Sequence, residues 1–410
     1  MNIGEILLRM INIKQAVILA GGQGKRLLPF TLKNPKPLVM VNKKPFLEHL
    51  INLLKDNGIR EVVILTGFLG EKINEYFGDG KKFGIKIKYS QTPFLDENGQ
   101  ENESGLRIKN AEELLNDHFL LMYCDNYWPL QLKKLIDFYN GHPSDVLITA
   151  YSNLDKSTRS NLFIDENGYA IKYDSTRSQK DLNGVDIGFF IVNKKVLDFL
   201  PKSNSKFETR VLQSLIPKRK LSGYLTNQKY YSIGDMKRVK LTEKFLTPKK
   251  VMFLDRDGVI NKRPLKADYV KKWEEFEFLP GSIEAIKLLT KSGYKIFIIS
   301  NQPGIARGAM TKKDLELIHK KMLKVLKSNG GKIEGIYSCL HNWDDGCICR
   351  KPKPGLLYFA SRDHFVDLTK VIFVGDDTRD KEAGDAAGCK TILIKPEGNL
   401  LDIVKDITKS

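Results

Sequence analysis

Val251-Met252-Phe253-Leu254-Asp255-Arg256-Asp257-Gly258-Val259-Ile260-Asn261 joins an apolar run to two carboxylates spaced i, i+2. The pattern is that of a buried parallel strand delivering both acids to its C-terminal edge, where open α/β sheets hold their ligands. Two further apolar runs end in the same way: Lys295 to Ile299 leads into Ser300-Asn301-Gln302, and Val371 to Val374 leads into Gly375-Asp376-Asp377. Asp, Ser and Asp are therefore expected at one rim. Between them lies a CxH followed by a CxC, Cys339-Leu340-His341 and Cys347-Ile348-Cys349, continuing into Arg350-Lys351-Pro352. Three thiolates and one imidazole suit tetrahedral zinc and leave no open catalytic position, so the pattern predicts a structural zinc whose loop carries Arg350 and Lys351 to the rim. The whole is the layout needed for phosphoryl transfer to a carboxylate: a nucleophile, an acid two residues on, a hydroxyl and a lysine for the phosphoryl oxygens, and a further Asp to complete a magnesium site.

These residues resemble the haloacid-dehalogenase-type phosphatases, and more narrowly the heptose-1,7-bisphosphate 7-phosphatases and their histidinol-phosphate phosphatase relatives. FLDRDGVIN, the stretch from Tyr269-Val270 to Phe278-Leu279-Pro280-Gly281, SNQPGIARG, CxHx5CxCRKPKPG and VGDDTRD all match, over about 250 to 395. The run Asn301 to Gly308 favours the heptose branch. The resemblance implies Asp255 as nucleophile and Asp257 as general acid, then base. It makes Ser300 and Lys351 phosphate ligands, and Asn301, Arg307 and Arg350 substrate contacts. Magnesium would be held by Asp255, Asp257 and Asp376. One departure is Asp377, where relatives often carry a lysine or arginine.

The other half opens with an apolar strand, Lys14 to Leu19, running into Ala20-Gly21-Gly22-Gln23-Gly24-Lys25-Arg26-Leu27, then Pro29, Thr31 and Pro35-Lys36-Pro37-Leu38. Gly21, Gly22 and Gly24 let the backbone approach a phosphate or a base, and Arg26 and Lys36 supply the charge a triphosphate demands. The spacing fits neither the dinucleotide fingerprint nor the P-loop. It resembles the sugar-1-phosphate nucleotidyltransferases, whose LAGGxGxRLxPxT and PKP elements appear in order, with a match extending over about 14 to 245. That resemblance implies catalytic roles for Arg26 and Lys36, magnesium on Asp125 at the end of Phe119 to Cys124, and sugar-facing segments around Gly188 and Glu208. A mannose- or heptose-1-phosphate guanylyltransferase is the nearest pattern, which favours GTP and leaves CTP, ATP and UTP open. Where relatives carry an aspartate for a second magnesium contact, this chain reads Tyr231-Ser232-Ile233-Gly234-Asp235, and a Glu103-Ser104-Gly105-Leu106-Arg107 run replaces the usual sugar loop, with Glu103 and Arg107 either sugar-facing or structural. The attacking phosphate is already an anion, so positioning and charge neutralisation are the catalytic needs.

At 410 residues the chain is long enough for two domains, expected at 1–248 and 249–410, with the seam at Leu246-Thr247-Pro248-Lys249-Lys250. Both are read as α/β: a Rossmann-like N-terminal sheet and a haloacid-dehalogenase-like C-terminal sheet with a zinc loop. The net charge of +18 is spread over predicted helix faces with no aromatic-interleaved stripe, which points to polyanionic small-molecule substrates and away from nucleic acid. Five cysteines, three of them placed on zinc, argue for a reducing compartment; Cys124 and Cys389 read as core. The opening MNIGEILLRMINIK is too charged and short for a signal or a membrane span, so a cytoplasmic location is expected, with Met10 as an alternative start. The resulting expectation is a bifunctional enzyme of activated-heptose synthesis using magnesium in both sites and zinc in one. The rivals are a transferase for another hexose 1-phosphate and a catalytically silent sugar-nucleotide-binding module.

Overall fold

The computed structural model describes residues 11–265, 268–395 and 397–409. The alternative start at Met10 lies outside them. The chain separates into two compact units, Met1–Leu246 and Thr247–Ser410.

The first unit is built on a seven-stranded sheet. Its strands are β1 (Gln15–Ala20), β2 (Glu61–Thr66), β3 (Lys86–Gln91), β4 (His118–Tyr123), β5 (Val146–Tyr151), β6 (Val185–Asn193) and β7 (Leu221–Thr226), in the order β7-β5-β6-β4-β1-β2-β3. The near-continuous apolar character of β1, β4 and β5 is explained by burial on both faces. β6 pairs antiparallel with both β4 and β5, so the sheet is mixed where alternating strands and helices predict a mostly parallel one. The reason is local. The link from β5 to β6 holds a small hairpin, Leu162–Ile164 against Ala170–Tyr173, and an antiparallel join needs no crossover helix. Beyond the sheet, two-residue strands pair Tyr231 with Tyr127 and Ser232 with Asn126. This pairing lays Ser232 alongside the end of β4, and helix α1 (Met236–Leu246) follows at once.

The second unit has five parallel strands, β8 (Val251–Leu254), β9 (Lys295–Asn301), β10 (Ile333–Cys339), β11 (Ile372–Gly375) and β12 (Lys390–Leu393), ordered β10-β9-β8-β11-β12. Helices α2 (Ser282–Lys291), α3 (Lys312–Ser328), α4 (Gly355–His364) and α5 (Thr378–Ala387) connect them. Every residue of β8 is buried, between one apolar cluster containing Met252 and Leu254 and another containing Val251 and Phe253. The order reverses at β8, whose neighbours β9 and β11 come from opposite directions of the winding. A crevice therefore opens beyond its C-terminal end. Among the described residues no helix is long and apolar enough to cross a membrane.

Candidate active sites

β8 delivers Asp255 into that crevice, where its side chain is nearly buried. Lys351 arrives with its Nζ 3.0 Å from Asp255 Oδ2 and 2.5 Å from Asp380 Oδ1, and it also donates to the Ile299 carbonyl at 3.0 Å. Asn301 fixes the backbone that carries this lysine. Its Oδ1 accepts from the Lys351 N–H at 3.0 Å, and its Nδ2 donates to the Lys351 carbonyl at 3.0 Å. Asn301, expected as a substrate contact, thus lines the cavity and also clamps the lysine loop. Ser300 is 1% exposed at the end of β9 and accepts from Gln302 Nε2 at 2.8 Å.

Asp257 takes a different direction. Its Oδ1 accepts from Arg256 Nε, Arg256 Nη2 and Asn261 Nδ2, and its Oδ2 from Arg256 Nη2 and Gln302 Nε2, at 2.8 to 3.1 Å. Burial alone would push this carboxyl up, but Arg256 and the two amides outweigh it, and the group is held below the usual carboxylate range. Arg256 has no exposed surface and reaches His319 on α3 at 3.3 Å; burial, with Arg256 beside it, pushes that imidazole down to about 4, so it meets the arginine in its neutral form.

The carboxylates that converge tightly enough to hold a cation are Asp255, Asp376 and Asp380, with ligand oxygens within 4.8 Å of one another. All are hard oxygen donors, which fits magnesium. Two expectations change here. The Asp257 carboxylate is turned into the Arg256 clamp and does not join the group, while Asp380, which sequence reading passed over, does. VGDDTRD has its acids at 376, 377 and 380, and a helix beginning at Thr378 puts 376 and 380 on one side of its first turn. Asp380 Oδ2 also accepts from the N–H groups of Asp376 and Asp377. Burial pushes Asp376 up to about 6 and raises Asp255 as well, the latter opposed by Lys351. Gly258 has φ +90°, and a Cβ there would lie 1.8 Å from Asp376 Oδ2, so the turn after Asp257 has to be glycine for Asp376 to sit where it does.

Asp377 caps α5 and is gripped by two arginines: Arg263 Nη2 at 2.7 Å and Arg379 Nε at 2.9 Å. The arginine beside it on α5 holds its carboxyl well below the usual range. The acid standing where relatives often place a cation thus brings two cations with it. The cavity these residues share is about 600 Å³ and is also lined by Arg307, Trp343 and Arg350.

At the end of β10 the four soft donors come together. Cys339 Sγ lies 3.6 Å from His341 Nδ1, 3.7 Å from Cys347 Sγ and 3.3 Å from Cys349 Sγ, and His341 Nδ1 lies 3.2 Å from Cys349 Sγ. Such separations are the edges of a small tetrahedron, and a donor set of three sulfurs and one nitrogen fits zinc. No disulfide joins any of the five cysteines, all of which lie among the described residues.

In the first unit the glycine turn follows β1, with Gly24 at φ +70° against the stem of Lys36. A cavity of about 250 Å³ opens there, lined by Gly22, Gly24, Arg26, Lys36 and Gly234. A Cβ on Gly21 would lie 2.5 Å from the Arg107 guanidinium. Arg107 is itself 4% exposed and donates to the carbonyls of Thr66 and Thr92, so it props the glycine turn from behind. Lys36 pairs with Asp125.

A second cavity, of about 700 Å³, shares Arg26 and Gly234 with the first and contains Asp125, Ser232, Asp186 and Glu208. Glu208 accepts from Tyr123 OH at 2.7 Å, and Asp186 accepts from Tyr173 OH at 3.0 Å and from the Gly188 N–H at 2.8 Å. Gly188, at φ +76°, lies so close to Tyr123 that a Cβ would come within 2.2 Å of its ring. Asp186 was not singled out in the sequence; burial pushes it up to about 7. Asp235, near the position of the missing second carboxylate in sequence, is engaged by Arg238. Its Oδ1 caps α1 by accepting from the Arg238 N–H, and its Oδ2 pairs with Arg238 Nε.

Comparison with known proteins divides the chain at the same place. The nucleotidyl transferase family profile matches residues 15–247, more than half the chain, and the polynucleotide kinase 3 phosphatase profile matches residues 250–394. A D-glycero-beta-D-manno-heptose-1,7-bisphosphate 7-phosphatase of Pseudomonas aeruginosa is 40% identical over 163 residues, 37% of this chain and 90% of that protein. The crystal structure of a D,D-heptose 1,7-bisphosphate phosphatase from B. bronchiseptica, complexed with magnesium and phosphate, is 36% identical and covers 39% of this chain and 98% of its own, with a TM-score of 0.37. The structure of HddC from Yersinia pseudotuberculosis complexed with GMP-PN is 23% identical, covering 56% and 97%, with a TM-score of 0.45.

Proposed function

Because this chain belongs to the nucleotidyl transferase family through residues 15–247 and to the heptose-1,7-bisphosphate 7-phosphatases through its second unit, we propose that it carries out two consecutive steps of nucleotide-heptose synthesis. The second unit removes the 7-phosphate of D-glycero-D-manno-heptose 1,7-bisphosphate. Asp255 attacks the phosphorus and becomes an aspartyl phosphate; Asp257, which the Arg256 clamp holds deprotonated in this structure, has to leave that clamp and take up a proton before it gives one to the departing 7-oxygen, and it later takes one from the hydrolytic water. Ser300 and Lys351 hold the phosphoryl oxygens. Magnesium held by Asp255, Asp376 and Asp380 would neutralise charge on the transferring group. Zinc on Cys339, His341, Cys347 and Cys349 would tie down the loop that carries Arg350 and Lys351.

The first unit joins the resulting heptose 1-phosphate to a nucleotide. An anionic oxygen of the sugar phosphate attacks the α-phosphorus of the triphosphate and pyrophosphate leaves. Arg26 and Lys36 steady the triphosphate over the glycine turn, Asp125 would hold magnesium, and the cavity lined by Asp186 and Glu208, with Gly188 behind Asp186, takes the sugar. GTP is the nucleotide favoured by the resemblance of the N-terminal half to mannose- and heptose-1-phosphate guanylyltransferases, with CTP, ATP and UTP as the alternatives. The free thiols are consistent with a reducing cytoplasm.

The observation that carries this reading is the closed Lys351, Asp255 and Asp380 arrangement in a unit joined to a nucleotidyl transferase, so that the product of one site is the substrate of the other. Purified chain given the bisphosphate and each of GTP, CTP, ATP and UTP should release phosphate in every case and pyrophosphate with GTP. Pyrophosphate with another base changes the nucleotide; phosphate without pyrophosphate under all four favours a silent binding module, the reading that Ser232 supports. No phosphate release overturns the proposal.

A further inference from the structure

Arg256 stands between the two aspartates of the phosphatase site, has no exposed surface, and divides its donors among three partners. Nε and Nη2 reach the oxygens of Asp257, Nη2 also donates to Gln302 Oε1 at 3.0 Å, and Nη1 lies 3.3 Å from His319 Nε2. Among the described residues Asp257 is the only carboxylate that pairs with it. The other two partners are neutral. Gln302 is 2% exposed and is itself tied through Nε2 to Asp257 and to Ser300 Oγ. His319 comes from outside the site. Helix α3 turns Leu315, Ile318, Met322 and Leu326 into the core, and His319, one position past Ile318, is half-buried at the border of that stripe.

To reach the departing oxygen, Asp257 has to turn from this clamp into the cavity that it also lines. That turn takes from Arg256 its one counter-charge, and a buried guanidinium left without partners is strongly disfavoured. Either the arginine follows the acid outward and keeps it ionised, or it stays behind on neutral acceptors. Gln302 meets only Nη2 and is coupled to the moving carboxylate; His319 meets Nη1 and is fixed by a separate helix. We infer that His319 is a positioning residue for the general acid, retaining the Arg256 guanidinium when Asp257 turns toward the leaving group, so that the acid arrives free of its counter-ion. The inference rests on the phosphatase reading above. A neutral ring nitrogen suits the task, since it accepts an N–H without adding a charge that would draw Arg256 away from Asp257 for good.

The test measures kcat/KM, which covers the steps up to the aspartyl phosphate, on the full chain with two substrates: the heptose bisphosphate, and p-nitrophenyl phosphate, whose weakly basic leaving group departs without a proton. His319→Leu should lower the bisphosphate value about tenfold, a part of what a positioned general acid contributes, and leave the p-nitrophenyl value within about twofold. His319→Gln, whose amide oxygen can accept from Arg256 Nη1, should restore most of the loss. In an Asp257→Asn background His319→Leu should lower the bisphosphate value no further, because its effect passes through the missing acid. Unchanged bisphosphate hydrolysis in His319→Leu overturns the inference while leaving the phosphatase assignment standing. Equal loss on both substrates, or a further loss in the Asp257→Asn background, also overturns it, since either is the result of a structural defect. A wild-type chain that releases no phosphate from the bisphosphate removes the phosphatase reading, and this inference with it.

Discussion

Lys351 and Asp380 form an ion pair 2.5 Å long whose side chains are 3% and 1% exposed. The attraction holds the lysine beside Asp255, but the pair is so deeply buried that neither charge can do without the other. Removing one partner of a buried pair costs about 3 to 5 kcal/mol. Asp380→Asn should therefore abolish phosphate release and lower the melting temperature of the second unit, while pyrophosphate release from heptose 1-phosphate persists. Calorimetry with both product assays checks it; a well-behaved Asp380→Asn protein of wild-type phosphatase activity would remove Asp380 from the site.

Asp255→Asn keeps the shape of the side chain and removes the nucleophile. It should eliminate phosphate release and spare nucleotidyl transfer, because Asp125, Arg26 and Lys36 belong to the other unit. Loss of both activities in a folded variant would defeat the two-site reading.

For the soft-donor cluster, one zinc per chain is expected by metal analysis of protein prepared without chelators. Cys347→Ser should lower zinc content and phosphatase activity together, with pyrophosphate release unaffected. The mechanism is loosening of the loop that ends at Lys351.

Asp186 gives a pH dependence to the first unit. Burial raises its carboxyl to about 7, against roughly 3.9 in an unfolded chain. The folded state therefore binds the proton more tightly, so this group's contribution to stability is full below about pH 4, declines as the pH rises to about 7 and is flat above. Asp186→Asn should remove that slope and raise stability at pH 8 by on the order of 3 kcal/mol, since the amide oxygen can accept from the Gly188 N–H while the amide nitrogen donates to Tyr173 OH. Unfolding of the first unit followed at pH 5 and pH 8 distinguishes the outcomes.

In the transferase cavity, Asp125→Ala should end pyrophosphate release. Ser232→Asp should leave it intact or lower the magnesium concentration needed, because Asp235 is committed to the cap of α1 and to Arg238. Magnesium titration of wild type, Ser232→Asp and Asp235→Ala gives the comparison; wild-type activity in Asp125→Ala would discard the metal assignment.

Strand ends were legible because polar site residues follow uninterrupted apolar runs: Asp255, Ser300 and Asp376 all stand at the ends of β8, β9 and β11. The CxH and CxC spacing was equally readable, since metal ligands so close in sequence need no long-range packing to meet. Asp380 was missed because its role depends on where α5 begins, and Asp186 because its place at the cavity wall follows from the reversed direction of β6. Arg107 was left open by the sequence, as sugar-facing or structural. A cation in the segment replacing a sugar loop looked available to substrate, yet packing against Gly21 committed it to backbone carbonyls. The relation of Asp377 to Arg263 joins residues 114 apart in sequence, and no local pattern announces it.

Asn301 reads both the N–H and the C=O of Lys351, and the soft-donor cluster fixes the same loop from its other end. The stretch from Asn342 to Gly346 lies between two members of that cluster, His341 and Cys347, and carries the Trp343 ring that stacks on Arg307. Its length and sequence can change without moving the lysine. A lineage, or a protein engineer, can therefore retune which sugar phosphate is accepted by rewriting that short arch, with the bond-breaking apparatus left as it stands.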